Sequence, residues 1–184
     1  DKVFIESVDQ DKSITHGQFW RLTNQLAHYL KDRGLRANDR IAMLSDNSIE
    51  HFATYIGVMR YGATICTIHV EMNALYFEDI INALDPGRTV FAGGIPVEGL
   101  EGTTPGDWLP LGEWQVDGST GFFGEVAKMP DDPLPPVNGP KDDASIFYTS
   151  GTASKPKGVV LTYRELLSNA PAAADMLGLT EDDR

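Results

Sequence analysis

Cys66 is the only cysteine, so no internal disulfide can brace the chain. Flanked by Ala63-Thr64-Ile65 and Thr67-Ile68, it is expected to be a buried small hydrophobe. No apolar run approaches the ~20 residues that span a bilayer, and no charged-then-apolar leader opens the sequence. A transmembrane segment and a secretory signal are therefore not expected, and a cytoplasmic address follows. Positive charge is scarce: 15 Lys and Arg against 27 Asp and Glu leave a formal net charge of −12. With no run of Lys/Arg interleaved with aromatics, nucleic acid is not an expected partner. His16 and His28 read as surface or boundary residues rather than metal ligands.

The 184 residues, 41% of them hydrophobic, can bury the core of one ordinary domain. Val3 to Val8 reads as a strand with a turn after it. Thr15 and Gln18 then form a capping box for a helix whose apolar residues, Phe19, Leu22, Leu26, Tyr29 and Leu30, recur at helical spacing up to a C-cap at Gly34. Asp39 to Ser45 is a nearly continuous apolar run, as in a strand covered on both faces. Asn47 or Ser48 caps a helix with the stripe Ile49, Phe52, Ala53, Ile56, Met59, ending at Gly62. A strand from Ala63 to Ile68, a helix from about Asn73 to Leu84 and a strand from Thr89 to Ala92 follow. Strand and helix alternate at short range, so the fold class is α/β, with β-α-β units on a parallel sheet. His69-Val70-Glu71, at a strand exit, reads as a polar pair, with a metal pair or acid–base couple as the sharper alternative.

Three segments are expected: an α/β subdomain over 1–92, an irregular Pro/Gly-rich segment over 93–140, and a strand, loop, strand and helix over 141–184. Eight of the eleven prolines fall in the middle segment, which argues against regular elements there. Trp108, Leu109, Leu111, Trp114 and Phe122-Phe123 are nevertheless too apolar for a free linker, so the segment is expected to dock on the sheet, with one short helix around Gly121 to Lys128. In the last segment, strands Asp143–Tyr148 and Val159–Thr162 flank a loop, and a helix from Tyr163 is expected to be interrupted or kinked at Pro171.

That loop, Thr149-Ser150-Gly151-Thr152-Ala153-Ser154-Lys155-Pro156-Lys157-Gly158, holds four hydroxyls, two glycines and two lysines, with no acid and no large apolar anchor. Glycines let backbone N–H groups approach an anion, hydroxyls add donors, and lysine supplies a point charge suited to phosphate. On a net-acidic chain, a polyanion site needs such local positive charge. A Walker loop requires lysine directly after the second glycine and then Ser or Thr. Here Lys157 precedes Gly158 and Val159 follows, which leaves a polyphosphate cradle of another kind.

The run from Tyr148 to Val159 resembles the signature loop of the adenylate-forming (AMP-binding) superfamily, acyl/aryl-CoA synthetase branch, written Y/F-T-S-G-S/T-T-G-x-P-K-G-V. Ala153 and Ser154 depart from it, standing where threonine and glycine are usual. Weaker likenesses extend outward, in Ile14 to Phe19, in Asp39-Arg40-Ile41-Ala42 through Asn47-Ser48, and in Arg60-Tyr61-Gly62-Ala63. The resemblance implies an ATP-dependent carboxylic acid–CoA ligase: a carboxylate attacks the α-phosphorus of ATP, pyrophosphate leaves, and a thiol then displaces AMP. It implies ATP, Mg2+ and CoA as partners of the parent enzyme. It makes Thr149, Ser150, Gly151, Thr152, Ser154, Lys157 and Gly158 the phosphate-binding residues, with no catalytic residue in this stretch. The family's large domain runs to several hundred residues beside a small mobile domain. The chain therefore resembles only the amino-terminal part of the large domain and is expected to be inactive alone. A non-catalytic module with a decayed loop, and an unrelated nucleotide hydrolase, are the other readings.

Overall fold

A computed structural model describes residues 2–70, 74–84, 89–93, 107–149 and 157–180. The elements are β1 (Val3–Ser7), β2 (Lys12–Thr15), α1 (His16–Asp32), β3 (Arg40–Ser45), α2 (Ile49–Tyr61), β4 (Thr64–Ile68), α3 (Ala74–Leu84), β5 (Thr89–Gly93), β6 (Asp107–Pro110), α4 (Gly121–Val126), β7 (Asp143–Thr149), β8 (Lys157–Thr162) and α5 (Tyr163–Leu177). β1 and β2 form an antiparallel hairpin, and the remaining strands form one sheet in the order β6-β5-β3-β4-β7-β8.

Five of those six strands run parallel, and β8 alone returns antiparallel against β7. The local reason is length: a parallel return needs a crossover of a dozen or more residues, whereas residues 150–156 suffice for a hairpin. Side-chain alternation then divides the core. Ile41, Met43 and Ile65 face the layer of α1, α2 and α4, while Ala42, Leu44, Cys66, Ile68 and Ile146 face α3. Both faces of β3 and β4 are covered, which is why their sequences read as unbroken apolar runs.

The capping box of α1 forms as the sequence predicts: the Gln18 N–H donates to Thr15 Oγ1 (3.3 Å) and the Thr15 N–H donates to Gln18 Oε1 (2.9 Å). Phe19, Leu22, Leu26, Tyr29 and Leu30 are all buried. Ser48, rather than Asn47, caps α2, its Oγ accepting from the His51 N–H at 2.9 Å. Gly62 ends α2 at φ +98°, where a Cβ would stand 2.6 Å from both Asn138 Oδ1 and Val137 Cγ2. Position 62 thus needs glycine twice, for its left-handed backbone and for the close passage of the segment entering β7.

Two expectations are corrected. The 93–140 stretch is not wholly irregular around its helix, because β6 pairs in register with β5 and widens the sheet. Leu111, Trp114, Phe122 and Phe123 bury themselves against α1, with the Phe122 ring edge-on to Tyr29 at 5.2 Å. Pro171 does not interrupt α5, which runs through it to a left-handed cap at Gly178. No residue of α5 is buried, so the carbonyl that Pro171 deprives of its N–H partner can bond water instead.

Candidate phosphate-binding site

β7 enters from the interior of the sheet, pairing with β4 through Ser145, Ile146 and Phe147. Its far side pairs with β8, and this register closes the loop: Phe147 stands opposite Val159, Tyr148 opposite Gly158, and Thr149 opposite Lys157. The Thr149–Lys157 pair is the mouth of the hairpin. Lys157 and Gly158 are exposed there. Ser150, Gly151, Thr152 and Ser154 lie outside the described residues, as do Ala153 and Lys155.

Gly158 has a packing reason to be glycine. A Cβ built on it would lie 3.1 Å from Tyr148 Cζ, 3.3 Å from Tyr148 Oη and 3.3 Å from Ile146 Cγ2. The Tyr148 ring occupies the place that a side chain at 158 would claim, and it packs on the α3 side of the sheet. Burial pushes the Tyr148 hydroxyl above its ordinary pKa, so the residue stays neutral. One aromatic ring therefore excludes a side chain at position 158, just below the mouth.

Beside the mouth is a cavity of about 260 Å3 at the carboxyl ends of β3, β4 and β7. Ser45, Asn47, His51 and Thr67 give it polar groups, and Phe147 and Tyr148 give it an aromatic wall. Ser45 Oγ and His51 Nδ1 are 2.7 Å apart. Burial lowers the His51 pKa, with the Ser45 contact opposing in part, and the imidazole is neutral at pH 7. The topology accounts for the location. From β3 the chain steps to β4 through α2, then crosses back through α3 to β5 on the other side of β3. Ligand crevices in open α/β sheets form at such reversals, outside the carboxyl ends of the strands.

His69 borders this cavity, and Glu71, its proposed companion, lies outside the described residues. Among the described residues no three His, Cys, Asp or Glu side chains come together as a metal cluster. Nor, among them, is any helix long and apolar enough to cross a membrane. Cys66 is fully buried, and burial pushes its thiol up to about 12, so it is an unreactive core residue.

A model of the family described as AMP-binding enzyme matches residues 1–184. The chain belongs to the AMP-binding enzyme family. Similar members include surfactin synthase subunit 2 of Bacillus subtilis, 29% identical over 177 residues, covering 93% of this chain and 4% of that protein. The crotonobetaine/carnitine–CoA ligase of Salmonella arizonae is 29% identical over 197 residues, covering 98% of this chain and 37% of the ligase. ATP-bound MatB from Rhodopseudomonas palustris shares the fold with a TM-score of 0.83 at 24% identity, over 99% of this chain and 36% of MatB. The chain thus spans little more than a third of that ligase and of MatB, and far less of the synthase. For the AMP-binding family, the α/β fold with its largely parallel sheet is the one expected from sequence.

Glu50 carried no signal in sequence. Its carboxylate is buried at the start of α2, where Oε2 accepts from Gln10 Nε2 (2.7 Å) and Oε1 accepts from the Trp114 N–H (2.8 Å) and from Lys12 Nζ (3.3 Å). Burial works against its charge, but Gln10, the Trp114 N–H and Lys12 outweigh burial and hold the carboxyl below its ordinary pKa. These contacts tie together the β1–β2 hairpin, α2 and the segment after β6.

Proposed function

We propose that this chain supplies the pyrophosphate-holding part of an ATP-dependent acid–thiol ligase, in which a carboxylic acid is first adenylated and then transferred to the thiol of CoA. One observation carries the reading: a Ser/Thr/Gly/Lys loop is held at both ends by the Thr149–Lys157 and Tyr148–Gly158 pairs in a chain of the AMP-binding family.

In the first step a carboxylate oxygen attacks the α-phosphorus, the bond from that phosphorus to the bridging oxygen breaks, and pyrophosphate departs with the electron pair. Charge grows on the β and γ oxygens as the bond lengthens, so donors already aimed at them lower the barrier. Thr149, Ser150, Thr152, Ser154 and Lys157 take that role here, and Gly151 and Gly158 allow the backbone close. In the second step the thiol sulfur attacks the acyl carbon, AMP leaves, and the thiol proton goes to solvent or a base. Mg2+ is proposed to arrive on the nucleotide's own phosphate oxygens, where it would neutralise charge, and no residue of this chain is assigned to it. The carboxylate pocket, the adenine contacts and the catalytic lysine are assigned to residues beyond the matched third of the ligases, so these 184 residues alone are inactive in this reading. Cytoplasmic location belongs to the same proposal.

The test is ATP–pyrophosphate exchange by the intact protein across a panel of fatty, aromatic and amino acids. Exchange with at least one acid class, abolished by Lys157→Ala, is expected; exchange indifferent to Lys157 sinks the assignment. Thioester formation with CoA compared against a phosphopantetheine-bearing carrier protein decides the acceptor. Ala153 favours a second reading, a loop that has lost catalysis. The missing hydroxyl removes a charge-assisted hydrogen bond of roughly 1.5–3 kcal/mol. Activity confined to the Ala153→Thr, Ser154→Gly double variant would establish that reading.

A further inference from the structure

A second cavity, of about 340 Å3, opens at the amino-terminal edge of the parallel strands. Its position follows from the topology. Gly62 precedes β4, Pro140 precedes β7, and Tyr163 follows β8, whose last residue pairs with the first of β7. The phosphate loop leaves β7 at the opposite edge. Met59, Val137, Pro140 and Leu167 form apolar walls, and the two charged residues lining the cavity, Arg60 and Arg164, are both cationic.

Neither guanidinium is ion-paired among the described residues. Arg60 lies 3.8 Å from the centroid of the Trp20 ring, which stacks on it and strips it of water on one side. Burial lowers the Arg60 pKa without bringing its deprotonation near neutral pH. Two carboxylates neighbour this rim in sequence, and neither is among the lining residues: Glu165 accepts from the Thr162 N–H at 2.9 Å and its hydroxyl at 2.8 Å, and Asp142 accepts from the Gly139 N–H at 2.6 Å. The base of the cavity is rigid: Tyr163 Oη donates to the Met59 carbonyl at 2.7 Å, and the Arg164 N–H donates to the Pro140 carbonyl at 2.8 Å. On a chain of net charge −12, an apolar cavity whose charged residues are two arginines without an ion-pair partner among the described residues, Arg60 stacked on Trp20 and Arg164 exposed, has the complementarity of an anion with a hydrocarbon body.

We propose that this cavity is a second binding site, separate from the phosphate loop, for a free aliphatic monocarboxylate, with the carboxylate between Arg60 and Arg164 and the chain along Met59, Val137, Pro140 and Leu167. A planar carboxylate matches guanidinium forks, and among the described lining residues Tyr163 is the one aromatic, which favours a flexible chain over a flat one. The site does not depend on nucleotide chemistry, so its test does not read nucleotide turnover.

Dodecanoate carrying a terminal diazirine, photolysed on the intact protein and mapped by peptide mass spectrometry, should label residues 136–140 and 163–167. Arg60→Gln with Arg164→Gln should weaken half-saturation of that labelling by about tenfold or more, as expected on losing charge-assisted hydrogen bonds. Arg60→Lys with Arg164→Lys should weaken it less than the Gln pair does, because lysine keeps the charge but not the fork, and unlabelled dodecanol should compete about tenfold less well than dodecanoate. Thermal unfolding of each variant guards against loss of fold. Labelling confined to other segments overturns the proposal. So does labelling at these segments that the double Gln variant leaves unchanged, or that dodecanol displaces as well as dodecanoate.

Discussion

Replacing Glu50 by Gln tests the clasp with almost no change of shape. The orientation of Gln10 is already decided, because its Oε1 accepts from the Ile49 N–H at 2.9 Å, which leaves its amide NH2 to donate toward residue 50. Glu50 answers with acceptors on both oxygens. A glutamine there has one acceptor and one donor. With its oxygen toward Trp114 and Lys12, its NH2 faces the NH2 of Gln10; reversed, the buried Trp114 N–H and the Lys12 ammonium meet a donor. Either way one buried bond to a charged group is lost and a donor faces a donor, a cost of about 2–4 kcal/mol. The sign of the pH dependence follows from the folded carboxyl lying below its unfolded pKa. The stabilisation is fully present above the unfolded value of about 4.3 and is lost as pH falls through the lower folded value. Urea unfolding of the intact protein at pH 7 should therefore show Glu50→Gln less stable by that margin, with the two proteins converging as pH drops below about 4. Equal midpoints at pH 7, or a gap that widens in acid, would refute the reasoning.

Gly158→Ala should push the Tyr148 ring away from the β8 backbone, where contacts of 3.1 and 3.3 Å already await a Cβ. An overpacking cost of about 1–3 kcal/mol is expected, together with a fall in pyrophosphate exchange that Gly158→Ala, Tyr148→Ala partly reverses; no rescue counts against the steric account. His51→Gln keeps a hydrogen-bonding group beside Ser45 but removes titration. If the Ser45–His51 pair matters to a ligand in the neighbouring cavity, wild-type binding falls as pH drops through the lowered His51 pKa, whereas the variant's does not; parallel pH profiles dismiss the pair. Pro171→Ala in exposed α5 restores a helix hydrogen bond and should raise stability by up to about 3 kcal/mol, and an unchanged unfolding midpoint would mean the helix contributes little to the global transition.

Legibility tracked how local the cause was. The Thr15–Gln18 capping box, the α1 stripe and the buried runs of β3 and β4 were readable because each depends on residues within one element. β6 was missed because its pairing is contributed by β5, across residues whose prolines and glycines argue against regular structure. Pro171 is accommodated without ending α5, in which no residue is buried, so the carbonyl it leaves without a partner is open to water. The loop between β7 and β8 reads as a phosphate cradle from its side-chain chemistry alone, and the order of Lys157 before Gly158 sets it apart from the Walker pattern. What no local pattern contains is contact at a distance. Glu50 meets Gln10 and Trp114 from positions 40 and 64 residues away, and His51 reaches Ser45 only because α2 turns back over the end of β3.

The placement of the loop in the sheet bears on how it can work. A Walker loop opens a helix and borrows the helix dipole for its phosphates, whereas here both ends of the loop are strands with little dipole of their own. On the proposed function, positive potential would come from Lys157 and from N–H groups and hydroxyls, and the framework at the loop's ends would have to be rigid. β7 answers it from one side, being ladder-bonded to β4 and β8 with Ala144, Ser145 and Ile146 buried. β8 answers it less well, since Val159 and Val160 are both exposed and, among the described residues, no strand pairs with its outer edge. Besides the ladder to β7, the Tyr148 ring packs against Gly158 of β8 just below the mouth, so it is expected to add order there. Hydrogen exchange should accordingly find the amides of β7 among the slowest in the protein and those of β8 faster except beside Tyr148. If β8 exchanges uniformly fast up to the mouth, the ring is not the coupling element, and the cradle must be held by whatever packs on the outer face of β8.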